Sequence, residues 1–107
     1  MTAALGSDDP RALVSQLWEH HLRDPFPARL RGEELAGVDM VILDADVTGC
    51  VDTWLHGSGP LDRGRLSLFR DLARDLDVVL PLLDDQHESE YHGRLRQLAR
   101  LLLEVAS

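Results

Sequence analysis

The chain has no lysine and no asparagine, a single isoleucine (Ile42) and a single cysteine (Cys50). Without lysine there is no Schiff-base chemistry, no phosphate-binding Walker lysine and no lysine general base. One cysteine excludes an intrachain disulfide and a cysteine-built structural zinc site, and it fits a reducing, cytoplasmic setting. No apolar run approaches the roughly 20 residues that span a bilayer, so membrane insertion is not expected. Residues 1–15 have neither a basic start nor an apolar stretch, and no secretory leader is expected. The missing residues are those of AT-rich codons, which points to a GC-rich bacterial genome.

What is present is 107 residues with 44% hydrophobic and 28% charged side chains and a formal net charge of -8. That length predicts one domain over 1–107, with 1–8 a disordered tail ahead of the first helix cap. The negative charge excludes ordinary nucleic-acid binding, since a phosphate backbone is held mainly by cations. All eleven cations are arginine. Residues 38–60 carry four aspartates and no cation, whereas 91–107 carry three arginines and one acid. A basic last segment against an acidic middle is what packing within one domain would produce.

Asp9-Pro10 reads as an N-cap followed by proline at the first helical position. Asp24-Pro25-Phe26-Pro27 ends that helix, because a residue before proline leaves the helical region. His56-Gly57-Ser58-Gly59-Pro60 is a turn, Asp62 a second N-cap, Pro81 a stop or kink, and Asp84-Asp85 a third cap. Between these marks the apolar residues recur at helical spacing. Leu13, Val14, Leu17, Trp18, His21 and Leu22 form one stripe. Leu68, Phe69, Leu72, Leu76, Val79, Leu80 and Leu83 form another, and Tyr91, Leu95, Leu98, Leu101, Leu102 and Val105 a third. The expected fold is all-α: a four-helix antiparallel bundle with helices near 9–23, 38–56, 62–82 and 86–106, and a connection over 27–36 with room for one helical turn.

The segment 38–55 has two readings. As a helix it places Met40, Leu43, Val47, Cys50, Val51 and Trp54 on one face, with Val38, Val41, Ile42, Ala45 and Gly49 roughly opposite. Small Ala45 and Gly49 then allow a close helix approach. As a strand, Val38 to Leu43 is a short apolar run before an acidic loop. The helical pattern persists to Trp54, which favours the helix. Leu66, Leu103 and the Val38/Ile42/Ala45 strip are expected to be exposed and to form a homodimer interface.

Met40-Val41-Ile42-Leu43-Asp44-Ala45-Asp46-Val47-Thr48 resembles the first motif of haloacid-dehalogenase-type phosphatases. The resemblance covers about ten residues. It implies Asp44 as nucleophile, Asp46 as general acid/base, and magnesium held between them. Asp84-Asp85 could imitate that family's later acidic pair. The family's usual lysine has no counterpart here, and the chain is short for a doubly wound sheet.

Other catalytic and metal signatures are missing. No two of His20, His21, His56, His87 and His92 have zinc-protease spacing, and no glutamate has a histidine three residues on, as di-iron bundles need. Cys50 falls on the core face, where a thiol is inert packing. Gly57-Ser58-Gly59 lacks a nucleophile elbow. Arg94, Arg96 and Arg100 are expected to pair with the acidic segments. His21, His87 and Asp44 could meet in a polar pocket, and an inter-helix ligand pocket could be lined by Trp18, His21, Trp54 and Tyr91.

Three functional expectations follow. The first is a non-enzymatic acidic helical protein acting by protein–protein interaction or self-association, needing neither metal nor cofactor; proteins that neutralise a basic target share this composition. The alternatives are a magnesium-dependent phosphatase-like protein using Asp44 and Asp46, and a small-ligand binder with a pocket between helices.

Overall fold

The computed structural model describes residues 9–57 and 60–105. The expected tail over 1–8 and the middle of the turn at Ser58-Gly59 lie outside the described residues. The architecture is four helices with antiparallel contacts: α1 (Pro10–Arg23), α2 (Met40–His56), α3 (Arg63–Val79) and α4 (Gln86–Val105). Short 3-10 turns occur at Ala28–Leu30 and Leu80–Leu82.

The helix ends follow the local chemistry. Asp9 accepts from the Arg11 amide at 3.1 Å, with Pro10 at the first helical position, where its missing N–H costs no bond. Asp62 accepts from the Arg65 amide at 2.8 Å and Asp85 from the Glu88 amide at 3.0 Å. Each carboxylate satisfies an N–H that the first turn leaves unpaired. Helix α3 gives way to a tighter turn at Leu80-Pro81-Leu82, since proline cannot donate the bond that would extend it.

The second helix begins two residues later than expected. Val38–Asp39 pairs antiparallel with Glu34–Leu35, so Val38 belongs to a small hairpin rather than to α2. The loop is Ala36-Gly37, both at positive φ (52° and 81°), the backbone that a tight two-residue hairpin requires. Asp39 then caps α2 by accepting from the Ile42 amide at 3.0 Å.

Helix α4 is the hub, packing against α1, α2 and α3. Its buried residues accordingly cover a wide arc that includes His92, Arg94 and Ala99 beside the expected Tyr91, Leu95, Leu98 and Leu102. The buried face of α2 is the predicted one: Met40, Leu43, Val47, Cys50, Val51 and Trp54. With principal extents of 42 × 32 × 21 Å, the molecule is about two helix diameters deep. Each helix therefore keeps an outward face.

Several burial expectations need correction: Leu22, on the expected inward stripe of α1, is 65% exposed, and Val38, expected to be exposed, is half-buried against the core. Leu66 is buried in α3 and Leu68 is exposed, because the inward row runs Leu66, Phe69, Leu72, Leu76, Val79. Leu103 is half-buried and packs against the core. Ile42 and Ala45 are exposed as expected, Gly49 is exposed with them, and the space beside Gly49 is open. Among the described residues, no helix is long and apolar enough to cross a membrane.

Candidate functional site

Polar side chains are drawn into the bundle at the junction of α1, α2 and α4. His21 Nε2 lies 3.1 Å from Asp44 Oδ1, and the Tyr91 hydroxyl donates to the same oxygen at 2.9 Å. The chain thus brings one side chain each from α1 and α4 to a single carboxylate of α2. The other ring nitrogen of His21, Nδ1, is buried without a partner. Trp18 stacks on His21 with centroids 6.3 Å apart, and Tyr91 sits 4.6 Å from the same ring on the other helix. Burial, then the Asp44 charge and its hydrogen bond, push the Tyr91 phenol well above its usual range. Tyr91 is therefore a standing hydrogen-bond donor and no phenolate nucleophile.

A second cluster surrounds Asp24, just past the end of α1. Arg94 donates to Asp24 Oδ2 at 2.5 Å, and His87 Nε2 lies 3.0 Å from Oδ1. Desolvation works to raise the Asp24 carboxyl, but the hydrogen bonds from Arg94 and His87 outweigh it and hold the group below the usual range. The same α1–α4 seam forms a groove of about 1050 Å³ that includes His20, Arg23, Asp24, His87 and Arg94 in its lining.

Around these, His92 Nδ1 donates to the Glu88 carbonyl at 2.8 Å and leaves Nε2 buried without a partner. Burial keeps that imidazole below its ordinary pKa. Phe26 meets Tyr91 and His92 edge-on, and Arg29 forks onto the buried Glu88 carboxylate at 2.7 and 2.5 Å. The turn after α1 is thereby fastened to the start of α4.

The sequence-predicted residues separate into two groups. Trp18, His21, Asp44 and Tyr91 do meet, through ring contacts and hydrogen bonds between the helices. His87 does not join His21 and Asp44: it is exposed and pairs with Asp24. Trp54 lies at the far end of α2, where the Arg11 guanidinium sits 4.8 Å above its ring and donates to the Leu55 carbonyl. Asp24 and buried Arg94 were missed as a pair. The sequence signal for Arg94 was its place near the apolar row Tyr91–Leu95–Leu98, where a surface arginine does not belong.

Geometry for the phosphatase motif is not formed. Residues 40–56 are helical, and Asp44 and Asp46 are about 200° apart around the axis. Asp44 turns inward to His21 and Tyr91. Asp46 lies on a separate recess of about 310 Å³ with Val38, Asp39, Ile42, Leu72 and Asp75. Two carboxylates placed so cannot address one cation from this backbone. Among the described residues, no three His, Cys, Asp or Glu side chains converge as a metal site. Arg96 and Arg100 both reach Asp77 in α3, whereas Arg94 goes to Asp24 after α1, and none of the three meets an aspartate of 38–60 among the described residues. No family model, no curated protein and no solved structure matches this chain.

Proposed function

We propose that the chain is a non-enzymatic binding module that docks a basic protein partner on the outward face of α2. The observation that carries this reading is the recess between the hairpin, α2 and α3, where Val38, Ile42 and Leu72 lie among Asp39, Asp46 and Asp75. None of those three aspartates has an ion-pair partner among the described residues. Asp24 and Asp77, by contrast, are each held by arginine. Next to the recess, Val41 and Ile42 stand 43% and 56% exposed. An apolar patch edged by uncompensated carboxylates complements an arginine or lysine, whose aliphatic stem covers the patch while its head meets the acids.

Self-association through the same face is the second reading, since exposed Ala45 and Gly49 leave room for another helix to come close. A two-fold interface sets a patch against its own copy, however, and here that opposes aspartates to aspartates. The basic partner is therefore favoured.

The test joins sedimentation with capture from lysate. The chain alone is expected to be monomeric at micromolar concentration. The captured protein should be basic and should leave as salt rises. It should be lost from Ile42→Asp and weakened in the Asp46→Asn/Asp75→Asn pair, while Glu104→Gln retains it. Retention by Ile42→Asp overturns the reading, and a salt-insensitive dimer replaces it with self-association.

A further inference from the structure

We propose that the groove between α1 and α4 binds a small amphipathic carboxylate, its head between Arg23 and Arg94 and its apolar tail along Leu17, Leu13 and Leu101. This surface shares no residue with the α2 recess, and the inference is independent of the docking reading above.

Arg94 is the first ground. Its side chain is only 8% exposed, yet its donors are incompletely used. One terminal nitrogen donates to Asp24, the other lies 3.4 Å from His20 Nε2, and Nε has no partner. A guanidinium brings five N–H donors in a planar fork, and leaving them unpaired away from water is costly. Asp24 meets this guanidinium through one oxygen, while its other oxygen faces His87.

Arg23 is the second ground. It lies on the same groove and forms no ion pair among the described residues. Of the acids that line the groove, Asp24 is held by Arg94 and His87, and Glu90 accepts from the Gln86 amide at 2.9 Å. An incoming single negative charge therefore finds uncommitted cationic donors here, in a chain whose net charge is -8. A doubly charged phosphate would suffer more from Asp24 and Glu90, whereas a planar carboxylate matches the guanidinium fork at half the charge.

The shape of the groove specifies the rest of the ligand. Past Gln16, Leu17, His20 and Gln97 it runs into a second stretch of about 490 Å³ that carries Leu13 and Leu101. From Arg94 to Leu101 is about 10 Å along α4. Arg96, Arg100 and Glu104 also border the second stretch, but the two guanidinium heads are held by Asp77, so it is the arginine stems and the leucines that an acyl tail would cover.

Calorimetric titration with octanoate tests this directly. Octanoate is expected to bind saturably, octan-1-ol about tenfold more weakly for want of the charge-assisted bonds, and butanoate weaker by roughly threefold per methylene removed. Arg23→Gln, at an exposed position, should weaken octanoate about threefold and leave octan-1-ol unchanged. Gln97→Trp, also exposed and midway along the channel, should abolish binding without unfolding the chain. The proposal fails if octanoate shows no saturable binding, if octan-1-ol binds equally well, or if Gln97→Trp binds as the unaltered chain does.

Discussion

The Tyr91 hydroxyl donates to Asp44 Oδ1 at 2.9 Å, and this bond ties the hub helix α4 to α2 in the interior of the bundle. The same oxygen faces His21 Nε2 at 3.1 Å, so α1 is bound into the joint as well. A carboxylate that serves two buried donors is worth more to the fold than either bond alone, because its removal strands both.

Substitutions at the joint should separate these effects. Tyr91→Phe removes one bond and leaves Asp44 with its histidine, at a cost of about 1 kcal/mol. Asp44→Leu strands the His21 N–H and the Tyr91 hydroxyl together and should cost about 2–4 kcal/mol. Urea unfolding of the two variants checks the order. Equal losses would show that Asp44 does not act as the shared acceptor.

Acid should weaken the fold in two stages. Burial holds the His92 imidazole below its ordinary 6.5, with the Glu88 carbonyl and nearby carboxylates opposing. Asp24 lies below its ordinary 3.8 despite desolvation, through Arg94 and His87. In both cases the unfolded chain takes up the proton at the higher pH. The contribution of His92 is complete above 6.5 and is lost as the pH falls from there through its folded value. That of Asp24 is complete above 3.8 and is lost as the pH falls further. Urea midpoints measured at about pH 7.5, 5.5 and 3.5 should decline in that order, and His92→Leu should flatten the upper step. A midpoint that rises on acidification would contradict both assignments.

At Ala36, φ of 52° places a side chain where L-residues are strained, and the neighbouring position is already glycine. Ala36→Gly should stabilise the chain by about 0.5–1 kcal/mol, since the relief of strain exceeds the added freedom of the unfolded state. Ala36→Val should do the reverse. Thermal melts of the two variants on opposite sides of the parent establish the turn.

Cys50 is 6% exposed on the inner face of α2, and burial pushes its thiol up. The reactive species is the thiolate, so modification should track unfolding. A disulfide reagent is expected to label Cys50 slowly in buffer and quickly in denaturing urea. Rapid labelling of the folded chain would place Cys50 elsewhere.

Much of this fold could be read from local pattern. The six inward residues of α2 were recoverable from spacing alone, because a helix that buries one face must repeat its apolar residues at the turn period. Asp9, Asp62 and Asp85 announced three helix starts, since a cap and its amide lie within a few residues of each other. The hairpin at Ala36-Gly37 was not legible, because alanine carries no expectation of positive φ. Leu66 and Leu68 were interchanged because two leucines on one turn differ only in which neighbour reaches them.

The order of letters alone determined the helical class, three of the helix starts and the inward face of α2, all properties set within a few turns of chain. It also placed His21, Asp44 and Tyr91 on inward faces. Tertiary structure decided which of those faces met: that Asp44 receives both donors, that His87 goes to Asp24, that Trp54 sits beneath Arg11, and that Arg94 is buried at the wall of a groove. Those pairings join residues distant in sequence, and they depend on how four amphipathic rods rotate and slide against one another. Spacing along one rod carries no record of that.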